Sequence, residues 1–244
     1  MSAALVARAA LAPVWHGHAD AGSWADAAAA EIAAVLRAAL NEQAQALLLL
    51  SGGSTPEPVY RRLVAAALDW SRVIVSLVDE RFVAADHPAS NGRLIAAVFG
   101  DGASAATIWP LVESGLGIDE CVALANQRLA DFARPAAAVV FGMGEDGHTA
   151  SLFPGAVDLA AALASDQAYV RFDASGCPVA GEYPRRITLT PHGWQDARER
   201  FLLIGGTRKR RVFEKASAAG AVQRFPIQAA IALGQRALVV HWSP

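Results

Sequence analysis

Residues 46–56 read Ala46-Leu47-Leu48-Leu49-Leu50-Ser51-Gly52-Gly53-Ser54-Thr55-Pro56, and the junction inside this stretch decides the fold. Five apolar residues with no polar alternation describe a buried strand. The run stops at Ser51-Gly52-Gly53. Pro56 stands where a first helical turn tolerates proline, and Val59, Leu63 and Leu68 continue a helical pattern.

Working outward, the same passage from strand to polar loop recurs. Residues 72–78 form a second apolar run ending at Asp79-Glu80-Arg81, and residues 136–141 form another that enters Gly142-Met143-Gly144. Shorter strand candidates are 107–111, 169–172, 187–189, 200–204 and 237–241. Helical patterns cover 23–40, 91–99, 119–132, 207–218 and 228–233. Strands alternating with helices predict an α/β fold, a mostly parallel twisted sheet with helices on both faces. Residues 1–244 are read as a single domain, the first 20 or so being a peripheral segment. Ligands of such sheets sit beyond the carboxyl ends of the strands, where the chain direction reverses. Three polar clusters follow apolar strands, so all three are expected at that edge.

Composition narrows the function classes. The chain is 54% hydrophobic and 18% charged over 244 residues, enough for a sizeable core and against long disordered stretches. A net charge of −2 gives no long-range attraction for nucleic acid or an anionic membrane, so neither is an expected partner and any anion must be held locally. Cys121 and Cys177 lack metal-like spacing and read as free thiols of a reducing compartment. No apolar run approaches the ~20 residues that cross a bilayer. The start lacks the basic region of a secretory signal, and the expected location is the cytoplasm.

In the first cluster, Gly52 and Gly53 let the backbone approach a ligand, and Ser51, Ser54 and Thr55 add hydroxyl donors beside a helix start. Without the lysine of a nucleotide-binding loop, a sugar phosphate suits it better than ATP. The plainer alternative is a tight turn with Ser54 or Thr55 capping the helix. In the second cluster, Asp79-Glu80-Arg81 with Ser90-Asn91 is either a solvated loop or a cleft wall. In the latter case Arg81 grips phosphate in a forked contact and Asp79 binds sugar hydroxyls or orients water.

The third cluster, residues 142–151, spells glycine at 142, 144 and 147, the spacing of a dinucleotide fingerprint. Glu145 and Asp146 would repel a pyrophosphate there, and Pro154-Gly155 cuts short the helix that should follow. His148, in a glycine-rich loop at the active edge, is the natural general base, since imidazole titrates near neutrality. His16, His18 and His87 read as surface-loop residues, and His192 and His241 lack acidic neighbours. No third ligand lies near His16-Gly17-His18, so no metal is expected.

Taken in order, these motifs resemble the 6-phosphogluconolactonase family. They are Ser51 to Pro56, Asp79-Glu80-Arg81-Phe82-Val83, Ser90-Asn91, the stretch from Gly142 to Pro154, Arg186-Ile187-Thr188-Leu189-Thr190 and Gly206-Thr207-Arg208-Lys209. The resemblance implies a Rossmann-like α/β domain of the sugar-phosphate isomerase and deaminase type. It also implies hydrolysis of a phosphorylated sugar lactone without metal or cofactor, by a monomer or small homo-oligomer. Carried over by motif are His148 as base and Ser51, Gly52, Gly53, Arg81, Arg186 and Lys209 around the phosphate. Ser54 belongs to the same loop, and Asp79, Asn91, Gly144 and Asp146 carry over as cleft residues. Gly144 is a candidate oxyanion donor, Asp146 or another carboxylate is to orient His148, and Arg185 competes with Arg186 for the phosphate. Related deaminases place a glutamate where this chain has Phe153, which cannot deliver a proton and so favours the lactonase. A sensor that keeps the fold without activity is the remaining alternative. It would be expected to carry a DNA-binding segment, and none is legible.

Overall fold

The computed structural model describes residues 11–244; the remainder of the expected peripheral segment lies outside the described residues. Seven parallel strands follow the order β1 (Val14–Gly17), β10 (Val239–Ser243), β9 (Glu199–Gly205), β6 (Ala138–Phe141), β2 (Ala46–Leu50), β3 (Val73–Leu77), β5 (Thr107–Ile108). Every residue of β2, β3 and β6 is buried, as strands covered on both faces require. Each buried leucine of β2 contributes about 1.5–3 kcal/mol of apolar burial. From β2 the chain runs outward through β3 to β5. It then crosses back to β6 on the other flank of β2 and continues to β9 and β10. The order therefore reverses between β2 and β6, whose following loops are residues 51–56 and 142–151.

α1 (Ala21–Glu42) is capped by Asp20, whose side chain accepts from Ser23 N at 2.8 Å. Its buried face includes Ala25, Ala28, Ala29 and Ala33 alongside Ile32 and Leu36. Small side chains at this spacing let the helix lie close against the sheet. α2 (Glu57–Leu63) ends earlier than its apolar pattern predicts. The bonds of Ala65 N to Arg62 O and Ala66 N to Leu63 O tighten the backbone to three-residue closures there. The remaining helices are α3 (Asn91–Gly102), α4 (Ile118–Phe132), α5 (Leu159–Leu163), α6 (Pro191–Trp194), α7 (Thr207–Ala219) and α8 (Ile227–Ala232).

Two features depart from the expected plan. Val14–Gly17, assigned from sequence to the peripheral segment, form the edge strand β1 against β10. Residues 169–172 and 187–189, expected in the main sheet, belong to a second, antiparallel sheet ordered β4 (Asp79–Arg81), β8 (Arg185–Leu189), β7 (Tyr169–Asp173). Val78 joins the two sheets: its N–H donates to Leu50 O at 2.9 Å, and its carbonyl accepts from Leu189 N at 2.8 Å. Register pairs Asp79 with Thr188 and Arg81 with Arg186. Strand periodicity puts these four side chains on one face and Glu80 on the other.

His241 is not without acidic neighbours, and His16 lies in β1 rather than in a loop. The fold brings α1 against β10, so His241 Nε2 lies 3.0 Å from Glu31 Oε2, and its Nδ1 lies 3.0 Å from His18 Nε2. A carboxylate only accepts, so His241 donates from Nε2 and takes the His18 proton at Nδ1. Burial first, then His16 and His18, push the His241 imidazole down to about 3. A depressed histidine contributes stability fully above its unfolded value near 6.5, and that contribution drains as pH falls toward 3. Urea unfolding followed by tryptophan fluorescence is expected to show a loss of up to about 2 kcal/mol from this residue between pH 7 and pH 5. His241→Phe should remove most of that slope.

Candidate active site

At the reversal between β2 and β6 lies a cavity of about 300 Å³. Ser51, Gly52, Gly53 and Ser54 form one wall. Asp79, Arg81, Asn91 and Arg186 form a second, and Gly144 and His148 a third, with Lys209 and Phe153 among the other lining residues. Every site residue expected from the sequence lines it except Asp146, which stands behind His148. A larger cleft of about 630 Å³ runs between α5, β7 and the start of α4, but its charged residues are two aspartates and two arginines, with no histidine or glycine loop. Asp173 lines that cleft and not the candidate site.

The His148 loop is built around its glycines. Gly147 has φ of +84°, and its carbonyl accepts from Ile227 N at 3.0 Å. The His148 carbonyl accepts from Gly144 N at 3.0 Å, closing the turn. That bond corrects the expectation that the Gly144 N–H serves an oxyanion, because it is already committed. Gly144 is required for a different reason: a Cβ there would lie 2.2 Å from His148 Nδ1 and 2.5 Å from Asp146 Oδ1. Gly144→Ala is therefore expected to displace the imidazole and lower kcat about 10²-fold, read by steady-state kinetics beside an unchanged KM for substrate.

Asp146 is the carboxylate that orients His148. Its Oδ1 lies 2.6 Å from His148 Nδ1 and also accepts from the His148 backbone N–H at 3.2 Å. Burial alone would raise the Asp146 carboxyl, but the hydrogen bonds and charge of His148 outweigh it and hold the group below the usual range. An ionised Asp146 accepts only, so His148 carries its proton on Nδ1 and leaves Nε2 as the basic nitrogen. The Phe153 ring packs on the imidazole, centroid to centroid 4.5 Å, and also lies 5.6 Å from the Arg186 guanidinium carbon.

The opposite wall is cationic. Arg81 donates from Nη1 to Ala89 O at 2.7 Å, while its Nε is buried without a protein partner. Arg186 donates to Tyr183 O and Ala180 O at 2.6 and 2.8 Å. Burial first lowers its pKa, with Asp79 opposing and Arg81 adding to the effect. Two guanidinium groups on directly paired residues repel, which is tolerable where an anion is to come between them. Lys209, in the first turn of α7, is likewise lowered by burial, with Glu145 opposing. Strand alternation separates the neighbouring arginines: Arg186 is 4% exposed and lines the site, whereas Arg185 stacks on Phe82 at 4.8 Å and faces the other cleft.

Asn91 sits under the glycine loop. A Cβ on Gly52 would fall 1.9 Å from Asn91 Oδ1, and Asn91 Nδ2 donates to the Asp79 carbonyl at 2.9 Å. Neither Ser54 nor Thr55 caps α2; Pro56 occupies the cap position without a side-chain bond. Glu80, which sequence placed in a solvated loop or a cleft, is buried beneath α3 and accepts from Ser90 Oγ, Asn91 N and Gly92 N at 2.6–2.9 Å. Sequence reasoning also missed Thr188, although its two-residue spacing from Arg186 places it on the same face. Among the described residues no group of three or more His, Cys, Asp and Glu side chains is arranged to hold a metal ion.

The chain belongs to the glucosamine-6-phosphate isomerase/6-phosphogluconolactonase family, whose model matches residues 19–241. Within it, the chain is 42% identical over 219 residues to a 6-phosphogluconolactonase of Xylella fastidiosa strain Temecula1, covering 90% of this chain and 91% of that one. A 6-phosphogluconolactonase of Rhizobium meliloti is 40% identical over 223 residues, covering 90% and 94%. The crystal structure of a 6-phosphogluconolactonase from Shewanella baltica superposes with a TM-score of 0.87 at 31% identity, covering 96% and 99%. A monomeric glucosamine-6-phosphate deaminase shares the fold, with a TM-score of 0.75 at 19% identity.

Proposed function

We propose that the chain hydrolyses 6-phospho-D-glucono-1,5-lactone to 6-phospho-D-gluconate, the lactone-opening step of the oxidative pentose phosphate pathway, in the cytoplasm. The lactonases it resembles over nine-tenths of its length support the activity. No helix among the described residues is long and apolar enough to cross a membrane. The observation that carries the reading is the pairing of one oriented base, His148 on Asp146, with the Arg81, Arg186 and Lys209 wall of the same small cavity.

The phosphate seats between that wall and the Ser51–Ser54 loop, and the buried, unpartnered Arg81 Nε is a donor suited to one of its oxygens. This binding fixes the lactone carbonyl near His148. Nε2 removes a proton from water as the oxygen attacks C1, while Asp146 holds the Nδ1 proton and steadies the imidazolium. The tetrahedral intermediate collapses with cleavage of the bond from C1 to the ring oxygen, and that oxygen takes the proton back from Nε2. On this reading Ser151 is not a nucleophile, since it is fully buried and does not line the cavity.

Phe153 sets the site apart from ring-opening deaminases, because a phenyl ring cannot protonate a sugar oxygen. Acid release from fresh 6-phosphogluconolactone, corrected for spontaneous hydrolysis, is to be run beside ammonia release from glucosamine 6-phosphate. Acid without ammonia is the expected outcome. Ammonia without acid would transfer the chain to the deaminase reading.

A further inference from the structure

Ser151 is fully buried three residues beyond His148. It is turned inward by a local conformation that ordinary residues avoid: Ala150 has φ of +49°, in the left-handed region. Such a conformation persists where surrounding contacts fix it, and here they do. Ser151 Oγ donates to Asp79 Oδ2 at 2.6 Å, and Ser151 N donates to Thr188 Oγ1 at 3.1 Å. Thr188 is the register partner of Asp79 in the small sheet. One serine thus binds both members of a cross-strand pair and ties the histidine loop of the main sheet to them.

The choice open to Asp79 gives this tie its meaning. Its carboxylate shares a strand face with Arg81 and Arg186 and interacts electrostatically with Arg186. A carboxylate free to rotate beside a guanidinium would pair with it, spending a cation that an anionic ligand needs. The serine hydroxyl engages one oxygen instead, and the other is left for the cavity that Asp79 lines.

We propose that Ser151 is a positioning residue for Asp79: it holds one carboxylate oxygen so that the other meets the sugar hydroxyls or the attacking water, and it fixes the spacing between Asp79 and His148. The proposal rests on the lactonase reading. It makes the serine of the DGHTAS stretch a bracket between the base and the sugar-binding acid.

The test compares Ser151→Ala, Asp79→Asn and the double variant, with Ser151→Cys as a variant of similar volume that keeps a weak donor. Inorganic phosphate as a competitive inhibitor probes the cationic wall alone, whereas 6-phosphogluconate probes the wall and the sugar contacts together. Ser151→Ala is expected to lose about tenfold in kcat/KM and to bind 6-phosphogluconate more weakly. Its phosphate inhibition should stay within about twofold of the parent, and Ser151→Cys should recover part of the activity. In the Asp79→Asn background the serine change should cost nothing further, since both changes remove one interaction. Parent-like kinetics in Ser151→Ala would overturn the proposal. So would a loss that is equally large in the Asp79→Asn background, or phosphate inhibition that weakens in parallel. If Ser151→Ala does not fold, Ser151→Cys with undiminished kcat/KM overturns it equally. A parent that does not accelerate lactone hydrolysis would instead defeat the underlying reading, and the proposal with it.

Discussion

His148→Ala is expected to lower kcat on the phosphorylated lactone by about 10²–10⁴-fold while leaving KM near the parent value. The imidazole is held by Asp146 at one side of the cavity, and the Arg81 and Arg186 side chains proposed to grip phosphate stand on another wall. Removing the ring therefore deletes the proposed proton acceptor without touching the cationic wall. Gly144 and Gly147 shape the loop through backbone geometry that does not depend on the ring, so the variant should fold. Initial rates by pH-stat, with thermal unfolding as a control, check this. A fall in kcat/KM caused by KM alone would move His148 from proton transfer to substrate binding.

Asp146→Asn is expected to cost about 10²–10⁴-fold in kcat as well, from a near-isosteric change. A carboxylate fixes the proton of His148 on Nδ1 because it can only accept. An amide can turn its NH₂ toward Nδ1, which then becomes the acceptor and moves the proton to Nε2, the nitrogen that must receive it from water. The backbone bond from His148 N goes to that same Oδ1, so an amide oxygen kept there would still orient the ring, and the loss then comes from the missing negative charge beside the imidazolium. Steady-state kinetics over a pH series, beside His148→Ala and the double variant, read the effect. Because both residues serve one proton transfer, the double variant should be no slower than His148→Ala alone. Losses that multiplied would show that Asp146 acts independently of the histidine.

Much of this was legible in the sequence, for reasons that can be named. The junctions after β2 and β6 were readable because unbroken apolar runs ending in glycine pairs leave few alternatives to a buried strand and a tight loop. The site at their carboxyl ends followed from the topology such strands adopt. The small sheet was readable only in part: β7 and β8 were legible as strands, but β4 lies far before them in the chain and is three charged residues whose composition argues for a loop. Its strand identity comes from partners more than 100 positions away. Glu80 was opaque for a different reason: the donors to its carboxylate, Ser90 Oγ, Asn91 N and Gly92 N, belong to the start of α3, which only the fold of the intervening loop brings above it. The His18–His241–Glu31 chain joins both ends of the chain through β1 and α1, a contact that no local pattern encodes. Asp146 as the partner of His148 lay within reach, two residues away, but only the glycine at 144 and the bend of the loop show that the two side chains meet.

The central claim is that a phosphate-gripping wall positions a lactone for His148. The most direct measurement is the initial rate of acid release by the parent protein from 6-phosphoglucono-1,5-lactone and from unphosphorylated glucono-1,5-lactone, each freshly prepared and corrected for spontaneous opening. The account predicts strong acceleration of the phosphorylated lactone and a kcat/KM for the unphosphorylated one lower by at least about 10²-fold, since the remote phosphate supplies the binding that orients the carbonyl. Equal acceleration of both lactones, or none of either, would contradict it.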